Sequence, residues 1–287
     1  MLLLKGKEVV QEIEEDVRAR ADALRKNGVD TTLGLLRVGD DPSDITYEKS
    51  VIKKTERLGI KLKLFHYPLD ITQEELVSEM KKINEDRSVH GVMIFLPLPK
   101  KFNEEEVRNA LDPSKDLDGI SDLSFAKIMA NKEGKANGFP PCTAEACIEI
   151  LKHYGIEMWG KKALIIGRSQ VIGKPVAMML MAEQATITIC HTKTDRETLT
   201  KYCKDADIVV VAAGHPHTFT KEMAAPQQTV LDVGINVDED GKLYGDADFD
   251  EVSGIVKAIT PVPGGVGGVT SAILLRHLVE AAEAAAK

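Results

Sequence analysis

The feature that most limits the possible folds is a glycine turn near the middle of the chain. The apolar run from Ala163 to Ile166 predicts a short buried strand, which ends at Gly167. Gly173 follows six residues later, and a helical pattern begins directly after it. A strand, a glycine turn and a helix start bind nucleotide phosphates, because N–H groups and the helix dipole attract negative charge there. The usual middle glycine is Ser169 here, so the turn also fits an ordinary strand-to-helix connection.

The composition narrows the classes of protein that this chain can belong to. Its 287 residues, 43% hydrophobic and 29% charged, are enough for two domains with a sizeable core. A net charge of −8 without a long basic run argues against nucleic acid and anionic membranes as partners. The four cysteines lack metal-ligand spacing, so we expect no metal and a reducing, cytoplasmic setting. No run has the character of a signal peptide or a membrane span.

The first half of the chain alternates between strand and helix patterns. Apolar residues recur at helical spacing from Val10 until Gly28 ends the pattern. The elements expected next are a strand over 31–38, a helix over 41–59, a strand over 61–66, a helix over 74–83 and a strand over 91–96. This order predicts a parallel sheet with helices on its faces.

A second alternation follows the segment 131–141, which is rich in glycine and proline and is the expected domain boundary. Thr143 is the expected cap of the first helix. The elements expected after it are strands over 163–166, 186–190, 207–212, 229–233 and 255–259, with helices over 175–183 and 195–204. The glycine run 264–268 is expected to be flexible, and Thr270 to cap a terminal helix over 271–286.

These patterns predict an α/β fold with two domains. The first, an α/β substrate domain, is expected to comprise residues 1–139 and 269–287, with the C-terminal helix returning to it. The second, a Rossmann-type dinucleotide-binding domain around the glycine turn, is expected over 140–268.

The end of the second strand in this domain bears on the choice of cofactor. NAD sites often carry an acidic side chain there. This chain instead has basic and hydroxyl side chains, His191, Thr192 and Lys193, with Arg168 in the glycine turn. Such groups suit a 2′-phosphate, which favours NADP and leaves NAD as the alternative.

Ordinary structural interpretations exist for some of these residues. Lys193 alone is better explained as a solvated charge, and Asp195 as a helix cap. Ala213 and Gly214, after the third strand, leave room for a ribose and nicotinamide but also fit a plain strand end.

Eight motifs occur in an order and spacing that cover nearly the whole chain. They are Val38-Gly39-Asp40-Asp41-Pro42-Ser43, Tyr47, Leu96-Pro97-Leu98-Pro99, Lys115-Asp116-Leu117-Asp118-Gly119, Pro140-Pro141-Cys142-Thr143, Gly167-Arg168-Ser169, Asp232-Val233-Gly234-Ile235-Asn236 and 260–267. Together they closely resemble the methylenetetrahydrofolate dehydrogenase/methenyltetrahydrofolate cyclohydrolase family. The resemblance implies a folate domain, a cofactor domain, a cleft between them and a homodimer. It also implies oxidation of 5,10-methylenetetrahydrofolate by hydride transfer.

The resemblance also implies site residues. Asp118 would hydrogen-bond the pterin and Tyr47 would contact the folate, and these two are the expected catalytic residues. The expected substrate-binding set is Tyr47, Val51, Phe95, Leu96, Pro97, Asp118, Pro263, Gly264 and Gly265. The expected cofactor-binding set is Gly167, Arg168, Ser169, Gly173, His191, Thr192, Ala213, Gly214, Gly234, Ile235 and Thr270.

The chain departs from the family pattern at Gly268-Val269, where the family has Pro-Met and altered packing is expected, and at two positions that bear on activity. The family's hydrolysis of the methenyl product uses a Tyr-x-x-x-Lys pair, but four residues after Tyr47 stands Val51. A glutamine that precedes Leu-Pro-Leu-Pro in the family is Phe95 here. Neither side chain handles protons, so we expect a dehydrogenase with little or no cyclohydrolase activity.

Three alternatives stay open from the sequence. Lys54, one turn further along the helix, could reach back and keep both activities. The chain could be a non-catalytic folate-binding relative, although Asp118 and the glycine turn argue against that. It could also be an oxidoreductase acting on amino or hydroxy acids, although no histidine stands in a catalytic arrangement.

Overall fold

The computed structural model describes residues 1–130 and 138–287. The helices are α1 (Gly6–Lys26), α2 (Pro42–Leu58), α3 (Gln73–Glu85), α4 (Glu104–Ala110), α5 (Asp122–Ala130), α6 (Cys142–His153), α7 (Gly173–Ala182), α8 (Arg196–Asp205), α9 (Phe249–Val252) and α10 (Val266–Ala285). The strands are β1 (Leu2–Leu3), β2 (Thr32–Val38), β3 (Lys61–Tyr67), β4 (Gly91–Ile94), β5 (Lys162–Ile166), β6 (Thr186–Cys190), β7 (Ile208–Val211), β8 (Thr229–Asp232), β9 (Asn236–Val237), β10 (Leu243–Tyr244) and β11 (Ala258–Ile259).

The chain divides into two compact units. The N-terminal unit contains Glu12–Lys127, Gly138–Pro140 and Leu274–Lys287. The C-terminal unit contains Met1–Gln11, residues 128–130 and Pro141–Ile273. The sequence predicts instead that residues 1–11, 128–130 and 269–273 belong to the first domain and Pro140 to the second. The structure differs because β1 pairs with β11, which makes the first residues part of the C-terminal unit's sheet. Most of the predicted boundary segment, residues 131–137, lies outside the described residues.

The N-terminal unit contains a three-stranded parallel sheet in the order β3-β2-β4. Every residue of β2 is buried, as expected for a central strand covered on both faces. An isolated parallel bridge joins Val92 of β4 to Asp116, so the segment after α4 lies beside the edge of this sheet. The core under α3 and α4 includes Leu76, Met80 and Val107.

The C-terminal unit contains a six-stranded parallel sheet in the order β1-β11-β8-β7-β5-β6. The chain runs from β5 outward to β6 and then returns to β7 on the other side of β5. This arrangement is the doubly wound topology that the alternating pattern predicted. A two-stranded antiparallel ribbon, β9 with β10, follows β8 and was not predicted from the sequence.

Two predicted helix caps were wrong. Helix α6 begins at Cys142 after Pro141 without a side-chain cap, so Thr143 lies inside it. Helix α10 begins at Val266, so Thr270 lies inside it too, and its hydroxyl donates to the Val266 carbonyl at 3.4 Å. Part of the glycine run is therefore helical rather than a free connection. The burial of Val269 and other apolar residues of α10 outweighs the low helix propensity of glycine there.

All four cysteines are buried free thiols. Burial raises the pKa of Cys147 and of Cys203 to about 12, so both stay protonated near neutral pH. Among the residues that the structure describes, no helix is long and apolar enough to cross a membrane.

Candidate active site

The glycine turn lies where the doubly wound sheet changes direction, between β5 and β7. A Cβ atom on Gly167 would stand 2.2 Å from the carbonyl oxygen of Ala212, and Gly167 has φ +140°. A Cβ atom on Gly173 would stand 2.5 Å from the carbonyl oxygen of Gly167. Backbone therefore packs directly on backbone at the carboxyl ends of these strands. This is the position at which open α/β sheets bind dinucleotides.

Ser169 organises the start of α7. Its hydroxyl oxygen accepts hydrogen bonds from the N–H groups of Ile172 at 3.1 Å and Gly173 at 3.3 Å. The serine thus replaces the usual glycine with a group that orders the turn, while Arg168 beside it is exposed.

The predicted 2′-phosphate residues form a compact turn after β6. The N–H of His191 donates to the hydroxyl of Thr194 at 3.1 Å, and the N–H of Lys193 donates to Nδ1 of His191 at 3.2 Å. Thr192 and Lys193 are exposed. Asp195 caps α8 by accepting from the N–H of Thr198 at 2.8 Å, which confirms its expected structural role.

The loops after β7 and β8 are held by two carboxylates, Asp232, which opens one of the eight motifs, and Asp246, which the sequence interpretation missed. Asp246 accepts from the N–H groups of Ala213 and Gly214, and Asp232 accepts from that of Gly234. Ile235 is exposed. Asp246 lies far from these loops in sequence and no motif marks it, so only the fold reveals its role.

The remaining predicted residues of this unit surround the start of α10. Gly264 accepts from the N–H of Gly6 at 2.8 Å, and a Cβ atom on Gly265 would stand 2.5 Å from the carbonyl oxygen of Pro261. Pro263 is exposed, and the hydroxyl of Thr270 lies 3.5 Å from that of Thr143. The three residues 263–265 thus belong to the same unit as the predicted cofactor residues, not to that of Asp118.

In the N-terminal unit, Tyr47 lies on α2 and its ring contacts that of Phe95. The ring centroids are 6.1 Å apart, with the planes inclined by 76°. Tyr47 is 44% exposed, whereas Val51 is 8% and Phe95 5% exposed. The two positions at which the resemblance implies a lysine and a glutamine therefore carry buried apolar side chains. The next two residues of the expected substrate-binding set follow Phe95 in the chain: Leu96 is partly buried and Pro97 is exposed.

Lys54, the alternative lysine, pairs with a carboxylate on α1. Its ammonium lies 3.0 Å from a carboxylate oxygen of Glu14, which also pairs with Arg57 at 2.5 Å. Glu14 lies on α1 within the same unit, so Lys54 takes part in an ion pair between α1 and α2.

Asp118 lies in a loop whose shape is fixed by its neighbours. Asp116 is completely buried and accepts from the N–H groups of Ile120 and Ser121, each at 3.0 Å, and from the hydroxyl of Ser124 at 2.6 Å. His277 of α10 donates from Nδ1 to the carbonyl of Leu117 at 2.7 Å. The sequence pointed to Asp118 but missed Asp116 and His277. For Asp116, the serines that follow it were the available signal.

A doubly wound sheet with a close-packed glycine turn at its switch point is the architecture of dinucleotide-binding domains. Comparison with known proteins identifies the family. Residues 4–118 match the family described as "Tetrahydrofolate dehydrogenase/cyclohydrolase, catalytic domain", and residues 141–286 match its NAD(P)-binding domain. The chain belongs to the tetrahydrofolate dehydrogenase/cyclohydrolase family and is an NAD(P)-dependent methylenetetrahydrofolate dehydrogenase.

Named relatives resemble the chain over almost its full length. A "Bifunctional protein FolD" from Clostridium botulinum is 45% identical over 98% of this chain and 98% of its own length. The crystal structure of bifunctional FolD from Campylobacter jejuni has a TM-score of 0.94 at 39% identity, covering 99% of both chains. FolD from Trypanosoma brucei, complexed with NADP and an inhibitor, has a TM-score of 0.91 at 29% identity, covering 100% of this chain and 99% of its own.

We expect Gly173→Ala to weaken NADP binding at least about tenfold, a loss of roughly 1.4 kcal/mol, because the new methyl group displaces the backbone of Gly167. Isothermal titration calorimetry measures the Kd. Gly254→Ala is the matched control, since nothing lies within 4 Å of its added Cβ atom. An unchanged Kd for NADP in Gly173→Ala would show that the close packing of the glycine turn does not contribute to cofactor binding.

Proposed function

We propose that this chain oxidises 5,10-methylenetetrahydrofolate to 5,10-methenyltetrahydrofolate with NADP, and hydrolyses the product slowly or not at all. The dehydrogenase half rests on the close-packed glycine turn in a chain that matches the family over both domains. The second half rests on one observation, the burial of Val51, four residues after Tyr47 on α2, and of Phe95, whose ring contacts that of Tyr47.

In this proposal Asp118 binds the pterin of the folate. A carboxylate presents two acceptors, which match the amino and ring N–H groups of the pterin. The bonds that Asp116 and His277 make to the surrounding loop support this role, because they fix the backbone on both sides of Asp118. Tyr47, which is partly exposed, contacts the substrate through its ring.

The oxidation needs positioning more than proton transfer. A hydride leaves the methylene carbon for the nicotinamide that the bound cofactor supplies. The cation that forms is an amidinium shared by two nitrogens, so this step requires no general base. Correct placement of two reactants can supply roughly 7–11 kcal/mol of a barrier at the ideal limit. In this proposal the hydrogen-bonded loops at the ends of the strands hold the folate and the cofactor in place.

The choice of NADP rests on charge. Arg168 and Lys193 are exposed cations near the ends of β5 and β6, with the hydroxyl of Thr192 between them in the chain. A 2′-phosphate gains from such groups, whereas a bare ribose does not. The Trypanosoma brucei relative, crystallised with NADP, supports the same choice. The four free thiols fit a reducing compartment such as the cytoplasm.

We expect the purified chain to reduce NADP with methylenetetrahydrofolate at a kcat/KM at least about tenfold above that for NAD. Arg168→Ala should narrow that ratio by raising the KM for NADP alone, with the KM for NAD as the internal control. Equal use of both cofactors would contradict the choice of NADP. No turnover with either would contradict the dehydrogenase proposal itself.

Hydrolysis of the methenyl product makes a different demand. Water must attack the methenyl carbon while protons move, and a positioned acid or base typically contributes about 10²–10⁴-fold. Valine and phenylalanine neither donate nor accept a proton. The pairing of Lys54 with Glu14 further supports slow hydrolysis, because the nearest alternative ammonium already has a partner.

A second candidate is the bifunctional enzyme, which yields 10-formyltetrahydrofolate. The observation that favours it is the similarity to relatives named as bifunctional FolD proteins, at 43–45% identity. The names of the relatives support the bifunctional enzyme better than the enzyme without hydrolysis. The apolar side chains of Val51 and Phe95 are the reason to test slow hydrolysis.

The double variant Val51→Lys with Phe95→Gln should hydrolyse methenyltetrahydrofolate at least about tenfold faster than the natural chain, because it supplies the missing proton-handling pair. Loss of the methenyl absorbance measures the rate, corrected for the uncatalysed reaction. Lys54→Ala is the matched control and should leave hydrolysis unchanged. Fast hydrolysis by the natural chain, abolished in Lys54→Ala, would establish the bifunctional alternative.

We also propose that the chain forms a homodimer through the outer edge of β6, which among the described residues pairs with β5 alone. This strand ends the six-stranded sheet, and its sequence Thr-Ile-Thr-Ile-Cys contains neither charge nor proline. Ile189 is exposed on it, with Met181 on the preceding helix exposed as well. Edge strands of monomers usually carry charges or prolines that prevent pairing, so an uncharged edge favours a second copy.

Light scattering should give twice the mass of one chain at micromolar concentration, and Ile189→Lys should shift the protein toward the monomer by placing a charge on the shared edge. Leu64→Lys is the matched control, since Leu64 is exposed on the edge strand of the other sheet. A monomeric natural chain would refute the dimer. A dimer unaffected by Ile189→Lys would place the interface elsewhere.

A further inference from the structure

Two carboxylates are buried beside the strand ends of the C-terminal unit, and no role in the reaction has been assigned to either. Asp232 is the last residue of β8, and Asp246 follows β10. Both side chains are almost completely inaccessible to water. Burial raises the pKa of Asp232 to about 6, and the charge of Asp246 adds to the shift.

Asp246 joins two separate loops through one side chain. Its Oδ2 atom accepts from the N–H of Ala213 at 2.9 Å and from that of Gly214 at 2.7 Å. Its Oδ1 atom accepts from Nδ2 of Asn236 at 2.9 Å. The loop after β7 is therefore fixed against the segment after β8 by a single charged group.

Asp232 holds Asp246 in turn. Its Oδ1 atom accepts from the N–H groups of Asp246 and Gly234, each at 3.0 Å, and its Oδ2 atom accepts from the N–H of Ala247 at 2.9 Å. The fit leaves no spare room, because a Cβ atom on Gly234 would stand 2.2 Å from the Asp246 carboxylate. The same holds for Gly245, whose added Cβ atom would stand 1.9 Å from Oδ2 of Asp232.

A carboxylate is the only side chain of this size that satisfies three converging donors. An amide would turn an NH₂ group toward either the loop N–H groups or Asn236. Asn236 cannot flip to relieve this without losing the bond from its Nδ2 atom to the carbonyl of Gly245 at 3.0 Å. Buried donors left without acceptors are costly, so the loop would move instead.

We propose that Asp246 is a positioning residue for the cofactor, which holds Ala213, Gly214 and Gly234 in the conformation that binds the nicotinamide half of NADP. The inference rests on the proposed function, since these three residues belong to the predicted cofactor set. It predicts that loss of the carboxylate weakens the cofactor's affinity and leaves the folate's apparent affinity intact.

The test compares two buried aspartates, one in each unit. Asp246→Asn should raise the Kd and the KM for NADP at least about tenfold, as loss of charge-assisted hydrogen bonds implies, without changing the KM for methylenetetrahydrofolate. Asp116→Asn is the matched variant, because Asp116 is equally buried and accepts from backbone N–H groups around Asp118. Asp116→Asn should raise the KM for methylenetetrahydrofolate and leave the Kd and the KM for NADP unchanged. Calorimetry gives the Kd, steady-state rates give both KM values, and thermal unfolding verifies that each variant is folded.

A Kd for NADP within about twofold of the natural value in folded Asp246→Asn would overturn the inference, and so would an equal rise in both KM values. If Asp246→Asn does not fold, Asn236→Ala decides, because it keeps the carboxylate but removes one group that orients it. That variant should raise the Kd for NADP about threefold, and an unchanged Kd would overturn the inference. A natural chain that binds no NADP would refute the proposed function instead.

Discussion

Buried carboxylates that accept backbone N–H groups hold the loops at the carboxyl ends of both sheets. Asp116 does this in the N-terminal unit, and Asp232 with Asp246 in the C-terminal unit. A buried N–H group without an acceptor is costly, and a buried charge without donors is costlier. Each carboxylate and its loop therefore stabilise one conformation together. These carboxylates fix the conformation of the irregular loops, as backbone hydrogen bonds fix the conformation of helices and strands.

The same constraint explains where glycine is required. At Gly167 the backbone of β5 packs on the carbonyl of Ala212, and at Gly234 the chain passes directly over the Asp246 carboxylate. A side chain at either position would push apart groups that must touch. Glycine in this fold is thus a consequence of close backbone approach, which also lets a ligand's phosphates reach N–H groups.

Most helices and strands could be predicted from the sequence, because the spacing of apolar residues and the glycines that end each element lie within a few residues of one another. The strand over 186–190 has the bounds that the sequence indicated, and β2 differs by one residue. The errors came from long-range contacts. Leu2–Leu3 became a strand only by pairing with β11, and α10 begins at Val266 because its buried face favours helix through two glycines. Asp246 acts on a loop 33 residues away in sequence, and no spacing rule connects them.

Oxidation and hydrolysis place different demands on the N-terminal unit. With Asp118 as the proposed pterin ligand, hydride transfer depends on the position of the substrate, and hence on the loop that Asp116 holds. Hydrolysis depends on side chains that can move a proton. Val51 on α2 and Phe95 after β4 carry no hydrogen-bonding group, so neither takes part in the hydrogen bonds that order the Asp118 loop. Changes at these two positions can remove proton-handling groups and leave substrate placement intact. The fold therefore allows one activity to decline while the other is preserved.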